Sequence, residues 1–195
     1  MASELVYDAL VLGGGPAGLA AAIQLARFNR SVLVLDEGGG RSSYHQVNHN
    51  YLGFPGGITS RDLRRLCREQ ASRLPIAFID DAAAAVSRHG SCFAARTRDG
   101  MDVHGRTLVL ATGVRDRFPA FPGWETYVGR SIFWCIVCDG YSTRGRRIVV
   151  VANDDDGGVT ALQFLQFTAH VTVLSNAAQC GVGPKVRHEL EARGI

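Results

Sequence analysis

A short apolar run that ends in a glycine-spaced turn constrains this chain more than any other feature of its sequence. Residues 7–12 (YDALVL) lead into Gly13, Gly14, Gly15, Pro16, Ala17 and Gly18, and residues 19–28 follow as an alanine-rich helix. Residues 31–35 (SVLVL) form a second apolar run that stops at Asp36 and Glu37. Strand, turn, helix and strand in about thirty residues make a βαβ unit; parallel strands covered on both faces read as apolar runs rather than alternations. The GxGxxG spacing has a physical purpose in that setting. Gly13 permits the tight turn, Gly15 lets a pyrophosphate approach the backbone, and Gly18 lets the helix pack on the strand. The pyrophosphate then meets free N–H groups at the positive end of the helix dipole, with Pro16 and Ala17 in the turn itself. Asp36, 18 residues after Gly18, would accept a ribose hydroxyl, a role Glu37 could share or take over. Alone, the glycine spacing reads equally as a plain turn; the flanking strands, helix and acid make it a dinucleotide-binding loop.

The pattern begins again later in the chain. After a loop-like stretch over 38–58, residues 59–74 read as an arginine-rich helix with Thr59 or Ser60 as N-cap. Its inner face would hold Leu63, Leu66, Cys67 and Ala71. Residues 76–109 show short strands with turns at His89-Gly90 and Asp99-Gly100, the second a hairpin signal. Residues 107–111 (TLVLA) read as a buried strand ending at Thr112 and Gly113, and residues 117–123, with Pro119 and Pro122, as a linker. Strand, helix and strand recur over 147–151, 159–167 and 170–174, followed by a helix over 184–193. The expected fold class is α/β, with two successive Rossmann-like βαβ units, the second opening near residue 147. The second has only two clear strands, too few for a closed doubly wound domain, so either the chain is cut short or this lobe is minimal.

The second chemical signal is Trp134-Cys135-Ile136-Val137-Cys138-Asp139-Gly140. A CxxC pair closes a small disulfide, and one thiol of such a pair is commonly activated for attack. Zinc would need a second pair of ligands, but Cys67, Cys92 and Cys180 are isolated and no histidine stands near them in a ligand-like spacing. Redox chemistry is therefore ranked ahead of zinc, and both ahead of a purely structural pair; no metal site is expected. Asp139 is equally a proton donor or acceptor and a turn residue before Gly140. Five cysteines, an odd count with one close pair, do not form a secreted disulfide framework and point to a reducing, cytoplasmic location.

Composition removes other classes. Hydrophobic residues at 46% and charged residues at 20% describe an ordinary folded domain, and a net charge of +3 argues against nucleic acid or an anionic membrane as partner. No apolar run approaches the ~20 residues that span a bilayer. The first residues lack a basic segment followed by an apolar one, so no signal peptide is expected.

Four stretches, GGGPAGLAAA near the start, HNYLGFPGGI, ATG at 111–113 and CIVCDG at 135–140, come in an order that resembles the low-molecular-weight thioredoxin reductases and flavoproteins like them. The resemblance covers nearly the whole chain. It implies two Rossmann-like, three-layer domains: an FAD domain over 1–117, followed by a pyridine-nucleotide-type domain over 118–195 that carries the CxxC pair. Gly13, Gly15 and Gly18 would hold the FAD pyrophosphate, Asp36 the adenosine ribose, and Asn50 would contact the flavin. Ala111, Thr112 and Gly113 would line the FAD site. Cys138 would be the sulfur nearest the flavin, Cys135 the one that engages the substrate disulfide, and Asp139 the acid. A homodimer follows from the same resemblance, as does a partner that is a disulfide protein such as a thioredoxin or a small dithiol.

The sequence departs from that family in three places. Where the second unit should carry an NADPH loop it has Ala152-Asn153-Asp154-Asp155-Asp156-Gly157-Gly158. Carboxylates there would repel a pyrophosphate, by roughly 1 kcal/mol per pair at 4 Å in water and several-fold more near protein; alternatively the run is a solvated turn with an N-cap. The stretch that grips a 2′-phosphate in the family is Ser175-Asn176-Ala177-Ala178-Gln179 here, without a positive charge. The closing segment of the family's FAD domain is not among the 195 residues, so the expectation is either a truncated chain or a flavin surface left partly uncovered with weakened binding. The expectation is an FAD-dependent thiol–disulfide oxidoreductase whose NAD(P)H use is doubtful and whose donor is, for example, a small electron-transfer protein. A flavin-dependent dithiol oxidase is the close rival, with Arg41, His45 and His49 departing from the usual reductase loop; a non-catalytic flavin-binding redox module is the third reading. Phe133 and Trp134 are expected in the core.

Overall fold

The computed structural model describes residues 5–43, 47–119, 121–175 and 177–195. The chain divides into two compact units, Met1–Asp116 and Arg117–Ile195.

The first unit opens with strand β1 (Val6–Leu12), helix α1 (Pro16–Arg27) and strand β2 (Val32–Leu35). Proline suits the first helical position, where its missing N–H would have no partner, so α1 begins three residues before the apolar pattern does. Two short strands, β3 (Val47–Asn48) and β4 (Ile58–Thr59), pair antiparallel and lead into helix α2 (Ser60–Ala71). Thr59 is the N-cap of α2, its Oγ1 accepting from the Asp62 N–H at 3.0 Å. Strands β5 (Ile76–Ile79), β6 (Ala83–His89), β7 (Cys92–Thr97) and β8 (Asp102–Leu110) complete the unit. They form one sheet in the order β5-β2-β1-β8-β7-β6, parallel from β5 to β8 and antiparallel from β8 to β6.

Alternation inside the buried strands builds three layers. Val11, Val32 and Val34 face Leu19, Ala22, Ile23 and Ala26 of α1 and Ala71 of α2. Leu10, Leu12, Leu33 and Leu35 face the other way and pack with Ala95 and Val103 of the antiparallel strands. Each fully buried leucine contributes roughly 1.5–3 kcal/mol through removal of apolar surface from water.

Two expectations are corrected. Leu66 is 37% exposed, not on the inner face of α2. Each helical residue turns by about 100°, and the face defined by Ser60, Leu63, Cys67 and Ala71 turns Arg64 inward instead. Residues 107–111 are not a buried strand: Leu110 is 69% exposed. The β7 ladder stops at Gly105, so the last part of β8 has β1 on one edge and no strand on the other among the described residues.

The second unit holds the short helix α3 (Ile136–Asp139), strand β9 (Ile148–Val151), helix α4 (Asp155–Phe164), strand β10 (Val171–Leu174) and helix α5 (Pro184–Ala192). β9 and β10 are parallel, a second βαβ unit, with Ala161, Val171, Val182 and Leu190 as its core. Phe118 stacks on Trp124 at 4.4 Å and meets Trp134 edge-on at 5.5 Å. Phe133, expected in the core, is instead 40% exposed: Trp134 takes the place in the ring cluster, and its neighbour faces outward. No helix among the described residues is long and apolar enough to cross a membrane.

Candidate functional site

The turn between β1 and α1 is built from close approaches that only glycine tolerates. Gly13 has φ +105°, and a Cβ there would lie 2.2 Å from the Ala111 carbonyl oxygen. A Cβ on Gly18 would lie 1.9 Å from the Gly13 oxygen. Gly15 is the N-cap of α1 and offers no side chain to its N–H groups, so the helix terminus is open to an anion. Pro16 and Ala17 form the first turn of α1 behind it.

Asp36 follows β2 and lies against this turn: a Cβ on Gly14 would sit 2.8 Å from Asp36 Oδ2. Its partner is Arg64 of α2, whose Nη2 donates to that oxygen while Nη1 donates to the Gly39 carbonyl at 2.9 Å. A bare carboxylate this close to a pyrophosphate would repel it by about 1 kcal/mol at 4 Å in water and about 4 kcal/mol in a partly buried site; Arg64 offsets that charge. Glu37 is held separately by Arg98 at 2.8 Å.

Ala111, Thr112 and Gly113 leave β8 beside the turn, with the Ala111 N–H donating to the Leu12 carbonyl at 2.8 Å. Three residues on, Asp116 is gripped by Arg41, whose Nε donates to Asp116 Oδ2 at 2.9 Å, and this bond holds the Arg41 guanidinium above its ordinary pKa. Asn50 is exposed in the turn between β3 and β4. His49 lies over Gly57, where a Cβ would meet its Nδ1 at 2.7 Å. His45 lies outside the described residues, as does Asn176.

In the second unit, Cys135 and Cys138 form a disulfide with Cα atoms 5.3 Å apart. Cys135 is the N-cap of α3, and its Sγ accepts from the Cys138 N–H at 3.1 Å. Both sulfurs belong to half-buried residues, whereas Asp139 is only 8% exposed, with its N–H donating to the Cys135 carbonyl at 3.0 Å. Gly140 leaves room for the Phe167 ring, which a Cβ there would meet at 2.7 Å. Among the described residues no cluster of His, Cys, Asp or Glu is arranged to hold a metal.

The two βαβ turns differ at one decisive position. Counted from the ends of β1 and β9, Gly13, Gly15 and Gly18 correspond to Ala152, Asp154 and Gly157. Gly15 leaves the N-terminus of α1 open; Asp154 caps α4 with its own side chain, Oδ1 accepting from the Gly157 N–H at 2.9 Å. Its neighbours are also satisfied by the chain. Asn153 Oδ1 accepts from the Gly181 N–H at 2.7 Å and from Ser175 Oγ at 2.9 Å, and Asp155 Oδ1 accepts from the Gly183 N–H at 2.6 Å. Side-chain oxygens therefore stand where phosphate oxygens would be received.

Arg64, Arg98 and Asp116 were missed from the sequence. Only Arg64 carried a signal, one position beyond Leu63 on the face shared by Cys67 and Ala71.

Fold and loop together define a dinucleotide-fold protein with a redox-type cysteine pair. Residues 7–195 match the pyridine nucleotide-disulphide oxidoreductase family, and the chain belongs to it. It is 31% identical over 191 residues to a thioredoxin reductase of Aquifex aeolicus, covering 96% of this chain and 59% of that protein. It is 33% identical over 198 residues to the thioredoxin reductase tcpT of Claviceps purpurea, covering 95% of this chain and 60% of the relative. The solved thioredoxin reductase of Streptococcus pyogenes superposes with a TM-score of 0.87 at 29% identity, over 97% of this chain and 62% of that one. The chain thus spans about six-tenths of the length of these relatives.

Proposed function

We propose that this chain is the FAD-binding and disulfide-bearing part of a thiol–disulfide oxidoreductase of the thioredoxin reductase kind. The observation that carries the reading is the open turn at Gly13, Gly15 and Gly18, with Asp36 beside it, in the same chain as the Cys135–Cys138 disulfide. The residues fit FAD. Gly15 and the first turn of α1 would hold the pyrophosphate, Asp36 the adenosine ribose, and Ala111, Thr112, Gly113 and Asn50 the remainder. Bound FAD would supply two-electron exchange with the disulfide.

The protein's own residues carry the other steps. With a small electron-transfer protein as the donor, two electrons and two protons convert the Cys135–Cys138 disulfide to a dithiol, with Asp139 as the proton carrier. The Cys135 thiolate attacks the partner's S–S bond, forming a mixed disulfide and releasing one partner thiolate. Cys138 then attacks Cys135 Sγ, which re-forms the internal disulfide and releases the second partner thiol. The partner we propose is a thioredoxin-type disulfide protein, or a small dithiol that drives these steps in reverse, and the assembly a homodimer.

NADPH is not the donor in this proposal, because the residues of the second turn do not fit a pyrophosphate. Asp154 fills the terminus of α4, and no cation among the described residues pairs with Asp154, Asp155 or Asp156. An anaerobic titration of the flavin absorbance tests the reading. Bleaching by a dithiol and not by NADPH is expected; bleaching by NADPH overturns the donor assignment, and a protein that takes up no FAD overturns the whole reading. Cys135→Ser should abolish thiol–disulfide turnover and leave FAD bound, which separates an enzyme from a binding module.

A further inference from the structure

We propose that Arg64 is a positioning residue that sets the Asp36 carboxylate to receive the ribose hydroxyls of an adenosine diphosphate group; this rests on the FAD reading above. Asp36 is fixed at both ends. Its N–H donates to the Ile79 carbonyl at 3.0 Å, and its Oδ2 is held by Arg64. The pair is mostly withdrawn from water, with side chains 22% exposed for Arg64 and 16% for Asp36. Oδ1 accepts no hydrogen bond from the described residues and is the oxygen left for a ligand.

The planar guanidinium suits this task because its nitrogens point in fixed directions. One nitrogen directs Oδ2 towards α2, and another holds the Gly39 carbonyl, so the acid and the loop that follows it move as one piece. Gly38 and Gly39 have φ of +81° and +77°, a region that glycine reaches without steric cost, and Arg64 ties the loop they form to α2. The same contact reduces the negative charge that Asp36 brings against Gly14. A lysine could neutralise the charge but could not hold both acceptors in one plane.

The test uses adenosine diphosphate and its 2′,3′-dideoxy analogue as competitors of FAD, followed by flavin fluorescence on wild type, Arg64→Met, Arg64→Lys and Asp36→Asn. Wild type should prefer the hydroxyl-bearing ligand by about tenfold, which is about 1.4 kcal/mol. Arg64→Met should bring the two ligands to within twofold, Asp36→Asn likewise, and Arg64→Lys should fall between. Equal weakening of both ligands in Arg64→Met, with the wild-type preference kept, assigns Arg64 a purely structural part and overturns the proposal. The same preference in Arg64→Lys as in wild type overturns the need for a planar fork, and the proposal with it. A wild type that binds FAD but ignores the hydroxyls also overturns the inference while leaving the FAD reading standing. A wild type that binds no FAD defeats both.

Discussion

Gly18 lies directly against the carbonyl of Gly13, where an added Cβ would come within 1.9 Å of the oxygen. Gly15, three residues earlier, has ordinary extended φ and ψ, and a Cβ there would have one neighbour, Ser42 Oγ at 3.7 Å. The two glycines therefore serve different ends. Gly18→Ala should destabilise the first unit by about 1–3 kcal/mol through forced movement of α1 off β1. Gly15→Ala should lower the urea midpoint less, by the weaker N-cap alone at under about 1 kcal/mol, and lose FAD affinity by tenfold or more. Equal midpoints for the two variants would refute the division.

In the proposed reading, removing the cap of α4 should open that helix terminus to an anion. Glycine at an N-cap costs only a few tenths of a kcal/mol relative to aspartate, so Asp154→Gly stays folded. NADPH affinity, measured by calorimetry, should rise at least fivefold. Micromolar binding to the unmodified protein would contradict this account.

How much of this was legible in the sequence depends on the range of the interaction. The βαβ turn was read from local spacing, because glycine placement, strand hydrophobicity and helix start all act within a few residues. The Asp154 cap was visible as one of two readings, and its side-chain bond to Gly157 is present in the structure. Arg64 was not visible as Asp36's partner, because a helix face is defined by what the tertiary fold puts beside it. The exposure of Leu110 and Leu66 escaped for the same reason: an apolar residue type says nothing about which neighbours stop short of it. Asp116 and Arg41, far apart in sequence, carried no pairing signal at all.

Acid should weaken the first unit through Asp8. The Ser31 N–H donates to Asp8 Oδ2 at 2.9 Å and Ser31 Oγ donates to it at 3.1 Å, and these bonds hold the carboxyl below its ordinary pKa. A depressed folded pKa means that the stabilisation is present above the unfolded value, near about 3.9, and fades as pH falls through the folded one. Asp8→Asn, which has no carboxyl to titrate, should flatten the loss of stability below about pH 4 while leaving the neutral-pH slope alone, as read from denaturant midpoints across the acid range. An unchanged acid slope would count against Asp8.

The three free thiols should react in a fixed order. Burial pushes the Cys67 thiol up, while Cys180 is exposed. Since the thiolate is the reactive form, Cys180 should be alkylated first and Cys67 slowest, by mass spectrometry of timed samples at pH 8. Prior treatment with a reductant should add Cys135 and Cys138 as a matched pair. Labelling of Cys135 or Cys138 without reductant would be inconsistent with their disulfide.

The strand order of the first unit also dictates when it can form. β1 stands at the centre of the sheet, yet one of its neighbours, β8, pairs Val6 with His104, so nearly the whole unit must be synthesised before that ladder can close. Until then a nascent chain carries β1 with an open edge and the Leu10 and Leu12 face uncovered by Val103. Such long-range parallel pairing is slow, and open strand edges are sticky while they wait. The antiparallel hairpin of β7 and β8 is the late-arriving keystone, and its emergence from the ribosome is the moment at which the half-built sheet stops being a hazard to its neighbours.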